Sequence, residues 1–419
     1  MTSSQPASIR DVAAYLPDGP YSFARLALAL LISTLVGAGM WAIIVIMPEA
    51  QRDFGVDRSA ASLPYTLMMC TLAFSTIALG RMTDRRGIVW PLAISGVSLG
   101  LGFVLAGYAP NLAVFSIAHV LIGVGAGTGF GPMMADISHW FVKRRGLAVV
   151  VVASGNYIAG TIWPLLMSFS MPLIGWRATY AAIGLIIAAG VLPLTLAMRR
   201  RPPAAAFEEA EATTAAARAD VGISPRLLLT LLVLAGFSCC VAMSMPQVHL
   251  VAYCGDLGYG VAHGAEMLSL MMALGIISRI GSGFVADVIG GSATLMIGSF
   301  MQGVALALYL YFDGLTSLYV VSGIFGLFQG GIVPMYAVIC RELLPPRQAG
   351  AAIGLVVSAT ILGMAFGGYF SGVIFDLTSS YRMAFLNGLL FNVFNFLIVA
   401  WLFWRRQRGQ PAGALVAAA

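Results

Sequence analysis

The sequence predicts an all-α integral membrane protein of twelve transmembrane helices in two pseudo-symmetric six-helix bundles. Three observations carry that expectation: an extremely apolar composition, twelve apolar runs of spanning length, and an internal repeat. Of the 419 residues, 59% are hydrophobic and only 10% charged, and the mean hydropathy is +0.91. Soluble domains carry about 25% charged residues. The formal net charge of +6 would suggest nucleic acid in a soluble protein. Here the basic residues fall in short clusters between apolar runs, as a topology signal does, so no nucleic-acid partner is expected.

Apolar runs begin near residues 23, 59, 88, 112, 146, 177, 227, 264, 291, 315, 350 and 381. Each is long enough to cross a hydrocarbon layer of roughly 30 Å. The polar start, residues 1–22, lacks the charged, apolar and cleavage regions of a signal peptide, so the first apolar run is expected to be retained. Residues 199–226 form the one long polar interruption, with Arg199, Arg200, Arg201, two prolines and an acidic run. They read as a linker between a first bundle at 23–198 and a second at 227–405, with a tail at 406–419. With both termini placed inside, eighteen basic residues face the cytoplasm and four, Arg52, Arg58, Arg177 and Arg382, face outward. That bias predicts cytoplasmic termini in a multi-pass protein of the cell (inner) membrane.

The repeat supports the two bundles. Gly80, Asp84 and Gly87 recur as Gly283, Asp287 and Gly290, and Arg144 as Arg347, all displaced by 203 positions. Two parallel six-helix repeats related by an axis along the membrane normal are a transporter architecture, with the substrate site at mid-membrane between them.

The chemically informative stretch is Leu268 to Gly291. There Arg279 follows eleven uncharged residues and precedes Asp287 by eight. Eight helical residues rise about 12 Å, so Arg279 is placed deep in the bilayer, at a cost of roughly 2.5 to 3.5 kcal/mol on insertion scales. A guanidinium there keeps its proton and pairs well with a carboxylate, which makes a small organic anion the natural ligand. Asn156, Gln329 and Tyr336 fall on spans expected to flank the central cavity and are candidate hydrogen-bond donors to the substrate; uncharged polar groups also join membrane helices to one another. His249, near the outer end of the seventh span, is a candidate proton carrier or an interfacial histidine. His119 reads as packing.

Other chemistries find little support. The five cysteines lack metal-ligand spacing, so no metal, disulfide framework or cofactor is expected. No catalytic constellation lies within the spans, so the chain is not expected to be an enzyme. The glycine run from Gly123 to Gly131 has no following Lys-Ser/Thr and reads as close helix packing, as does Gly363-x-x-x-Gly367.

At these residues the chain resembles the major facilitator superfamily over essentially its whole length. Gly80-x-x-x-Asp84-Arg85-x-Gly87 is similar to that superfamily's loop motif between the second and third helices. The resemblance implies that Gly80, Asp84, Arg85, Gly87, Asp287, Arg144 and Arg347 act in the conformational switch and touch no substrate. Trp140 and Lys143-Arg144-Arg145-Gly146, then Gly155, Gly160, Pro164 and Gly175-Trp-Arg177, resemble the monocarboxylate porter and oxalate/formate antiporter families. So do Val248-His249-Leu250 and Arg279-x-x-x-Gly283-x-x-x-Asp287. In those families the helix-8 arginine binds the substrate carboxylate, and Arg279 matches it.

The chain also departs from them. Ser358 stands where the oxalate antiporters have a lysine, Gly275 stands where animal monocarboxylate porters have an aspartate, and the first span has no lysine. The expectation is therefore a proton-coupled monocarboxylate symporter, monomeric and working by alternating access. An oxalate/formate-type antiporter and a polyspecific drug exporter are the alternatives.

Overall fold

In the computed structural model, residues 17–129, 131–141, 144–200, 223–344 and 346–409 are described. The expected linker, the two tails and Lys143 thus lie wholly or largely outside the described residues. Among the described residues, eleven helices are long and apolar enough to span a bilayer. One of them, Arg145–Ala197, has 53 residues. Straight, it would be about 80 Å long, far more than one hydrocarbon thickness. It bends at Gly175, whose φ of 78° and ψ of 160° are not helical, so it supplies two spans and the total is twelve.

In chain order the spans are α1 (Pro20–Phe54), α2 (Arg58–Arg86), α3 (Val89–Gly107) and α4 (Leu112–Ser138). Then follow α5 (145–174) and α6 (176–197), α7 (Pro225–Asp256), α8 (Val261–Ile289) and α9 (Gly291–Tyr311). The last are α10 (Leu315–Gln329 continued by Ile332–Leu343), α11 (Pro346–Thr378) and α12 (Tyr381–Gly409). Local chemistry sets several of these ends. Pro20 and Pro225 open α1 and α7, where a missing N–H costs nothing. The side chains of Asn111 and Ser224 cap α4 and α7 by accepting from Val114 and Leu227, which satisfies an otherwise orphaned donor.

The repeat is visible in the backbone. Gly87 after α2 has φ 83° and its N–H reaches the carbonyl of Thr83; Gly290 after α8 has φ 85° and reaches Ala286. Both positions demand the conformation that glycine adopts without a Cβ clash. The corresponding spans α4 and α10 are both interrupted, at Gly127–Gly129 and at Gly330–Gly331. Prolines follow the two breaks, Pro132 and Pro334.

Close helix contact explains the glycines read as packing. A Cβ on Gly123 would lie 2.4 Å from the Met68 carbonyl of α2, and one on Gly363 2.3 Å from the Phe237 carbonyl of α7. Between the two six-helix halves, α2 packs along α11 and α5 along α8.

Candidate functional site

The face where α1 begins is called here the near face, and its opposite the far face. At the far face the halves are pinned together. Arg58, at the start of α2, donates from Nη2 to both carboxylate oxygens of Asp256 at the end of α7, at 3.1 and 2.9 Å. The backbone N–H groups of Arg58 and Ser59 donate to Asp376 of α11 at 3.0 and 2.8 Å. A carboxylate on exposed helix-start N–H groups is stabilised by both hydrogen bonds and the helix dipole. Eight residues deeper, the Thr66 hydroxyl donates to the Ala365 carbonyl.

Near the other end the halves part. The described cross-half hydrogen bond closest to the near face is made by Arg279, whose Nη1 donates to the Ala153 carbonyl of α5 at 3.1 Å. Beyond it, a Cβ added to Gly80 or Gly283 would meet nothing within 4 Å. Asp84, Arg85 and Asp287 are exposed there.

Arg279 sits where the closed and open parts meet. Its guanidinium lies 4.5 Å over the Tyr157 ring, a cation–π contact that costs no carboxylate. Its Nε donates to the Gly330 carbonyl at 3.2 Å. That carbonyl is available because the residue four positions on is Pro334, which has no N–H to return. Among the described residues no carboxylate lies within ion-pair distance of Arg279. Its two described hydrogen bonds leave N–H donors on Nη1 and Nη2 for an anion.

Asn156, one residue before Tyr157, lines a cleft with Ser33, Gly37, Met40 and Leu72. Its Oδ1 accepts from Trp41 Nε1 at 3.2 Å, while Nδ2 makes only a 3.7 Å contact with Met40 Sδ. That cleft is lined by residues of the first half; Ala153, whose carbonyl Arg279 reaches, precedes Asn156 by three residues, about one helical turn.

Two further candidate donors, Tyr336 and Gln329, lie inside the second half. Tyr336 is fully buried inside the second half and donates to Asn395 Oδ1 at 2.6 Å; Asn395 in turn donates to Ser299. Gln329, also fully buried, accepts from Gln247 of α7. The Tyr336 hydroxyl is thus engaged in joining helices of the second half, as a buried polar group in an apolar interior requires, whereas the Gln329 Nε2 donor has no partner among the described residues. His249 is buried, its Nε2 2.7 Å from the Gly368 carbonyl, with Nδ1 unpartnered among the described residues. His119 packs as expected, between the Phe115 carbonyl and the Tyr180 hydroxyl.

Of the residues expected to act in a conformational switch, Asp84 and Asp287 occupy matching positions at the near ends of α2 and α8, and Arg144 is exposed just before α5. The Arg347 side chain lies outside the described part. Sequence reasoning missed the far-face contacts of Arg58, Asp256 and Asp376, and the pair formed by Arg25 and Asp136. Arg25, counted as a cytoplasmic cation, is 1% exposed and holds Asp136 of α4 through Nε and Nη2 at 2.9 and 2.8 Å. An acidic residue inside an apolar run was the available signal, since such a charge is rarely left unpaired.

Comparison with known proteins agrees with this architecture. The family profile of the Major Facilitator Superfamily matches residues 29–317 and again 282–417. An uncharacterized MFS-type transporter of Bacillus subtilis, YcxA, is 26% identical over 347 residues, covering 79% of this chain and 82% of the relative. Monocarboxylate transporter 13 of Bos taurus is 25% identical over 379 residues, with 88% and 86% covered. Among solved structures, a bacterial homolog of the human lysosomal transporter Spinster, in an inward-facing and occupied conformation, superposes with a TM-score of 0.71. It is 15% identical and covers 94% of this chain and 99% of its own. The nucleoside transporter NupG superposes at 0.69, with 14% identity and 91% and 99% covered.

Proposed function

Because the chain belongs to the Major Facilitator Superfamily, and is thus a multi-pass membrane transporter and no enzyme, we propose that it carries small monocarboxylates in symport with a proton. One observation carries the reading: Arg279 lies between the halves with carbonyl and aromatic partners and no described carboxylate. A guanidinium that holds donors open at mid-membrane is matched by a carboxylate brought from solution. The relatives named monocarboxylate transporters support this choice of anion.

In the proposed cycle the anion neutralises Arg279 while the near face is open. A neutral, hydrogen-bonded pair costs less to enclose than a bare cation, so binding favours closure of the near face and release of the far-face contacts. Asn156 offers its amide to a second polar group of the substrate. Asp84 and Asp287, with Gly80, Arg85, Gly87, Arg144 and Arg347, act at the near ends of the halves, where the open space beside Gly80 and Gly283 must close. His249 is the proton-carrying candidate: its Nε2 reaches the Gly368 carbonyl of α11, beside Tyr65 of α2, and its Nδ1 has no partner among the described residues. The carrier works as a monomer in the cell (inner) membrane with cytoplasmic termini, so the near face is the cytoplasmic one.

The test is carboxylate binding by purified protein. Arg279→Ala should fold and lose measurable binding, and Arg279→Lys should retain little because the planar fork is gone. Wild-type affinity in Arg279→Ala would refute the assignment.

A further inference from the structure

A second basic site lies at the rim of the first half, away from Arg279. A small opening is lined by Arg86 at the end of α2, Arg199 and Arg200 just past α6, and the turn from Gly87 to Val89 that starts α3. Asp136 forms part of its wall, but its charge is already matched by the bidentate contact with Arg25. Three exposed arginines from two separate stretches of chain thus border one opening, with the Arg200 guanidinium also lying 5.6 Å over the Tyr21 ring. Such a group of arginines fits a phosphate, whose oxygens accept paired N–H bonds.

The surroundings select the source of that phosphate. Trp90, three residues past Gly87, is 61% exposed, in the position of an aromatic at the membrane–water boundary. Below it α3 and α6 touch closely through small residues: a Cβ on Gly100 would lie 2.8 Å from Ala188, and one on Gly184 2.8 Å from the Gly100 carbonyl. The outer flank of this contact exposes Val97 and Leu101. An apolar strip thus leads from the arginines into the hydrocarbon depth, as acyl chains below a headgroup require. We propose that the opening holds the phosphodiester of an anionic lipid, with its chains against α3 and α6. Basic pockets between spans are the recurrent form of such sites.

The probe is phosphatidylglycerol added to purified, delipidated full-length protein in neutral detergent. Phosphatidylcholine of the same chains and inorganic phosphate serve as separate arms. Phosphatidylglycerol should raise the melting temperature saturably, and the other two should not. Arg199→Ala combined with Arg200→Ala should weaken the lipid response roughly thirtyfold, while lysine at both positions should keep most of it. Should the alanine variant fail to fold, Arg199→Gln and Arg200→Gln singly, read as bound lipids per protein by native mass spectrometry, decide in the same way. An equal response to phosphatidylcholine, or a full response in variants lacking the arginines, overturns the proposal. Inorganic phosphate reproducing the whole effect also overturns it, in favour of a soluble phosphate ligand.

Discussion

The Gly330 carbonyl accepts a hydrogen bond from Arg279 Nε at 3.2 Å, and it is open to do so because Pro334 stands four residues further on. A proline in α10 thereby orients a cation in α8. Pro334→Ala restores the backbone N–H and sets it in competition with Arg279 for the same acceptor. One net hydrogen bond contributes about 1 kcal/mol, so carboxylate affinity should fall roughly fivefold while the fold is kept. Isothermal titration on the purified variant gives the answer, and an unchanged affinity would show that the proline does not position the guanidinium.

The two faces predict opposite conformational biases. Asp376→Asn weakens the hold on the α2 helix start, where Arg58 and Ser59 donate. It should raise the labelling rate of a cysteine placed at Ser62 several-fold in a background without the native cysteines. Asp84→Asn removes a charge from the near end of α2 and should slow transport strongly, yet leave substrate affinity within a few-fold, since Asp84 is remote from Arg279. Unaltered labelling in the first variant, or unaltered uptake into proteoliposomes in the second, counts against the corresponding assignment.

The pair formed by Arg25 and Asp136 is buried on both sides, with 1% and 6% side-chain exposure. Removing one partner leaves a charge without compensation, and Asp136→Leu alone should cost about 3 to 5 kcal/mol. Replacing both, as Arg25→Met with Asp136→Leu, should recover most of that loss, because the paired charges offset little beyond their own desolvation. Thermal denaturation in detergent compares the three proteins. Equal destabilisation by the single and double changes would show that the arginine acts by other means, such as its contact with Trp140.

Charge selectivity follows if Arg279 is, among the described residues, the one open cation at the proposed site. A monocarboxylate balances Arg279, whereas a dianion leaves an uncompensated charge in a low-dielectric cavity. Monoanions should be preferred over dicarboxylates of similar size by at least about tenfold, which requires only about 1.4 kcal/mol. Ser358→Lys should narrow the preference by supplying a second cation on α11. Competition of labelled monocarboxylate uptake near neutral pH measures it, and equal inhibition by a dicarboxylate would point to a further cationic group at the site.

What could be read from the chain alone were properties that residue order itself carries. Apolar length sets the spans: Val89, Leu112, Gly291, Leu315 and Tyr381 begin helices within a residue of the expected starts. The repeat places Gly87 and Gly290 at matching turns, because a demand for positive φ is local and only glycine meets it cheaply. Arg279 stood out because a charge inside an apolar run is costly wherever the run is placed. Tertiary structure decided which polar groups face one another. Gln329 and Tyr336 have the same polarity as Asn156, but the rotation of α10 turns them onto Gln247 and Asn395 inside the second half. Arg58 and Asp376 are 318 positions apart, and Arg25 and Asp136 are 111 apart. Such pairings depend on helix rotation and register, which a periodic apolar pattern leaves undetermined when lipid and protein interior are equally apolar.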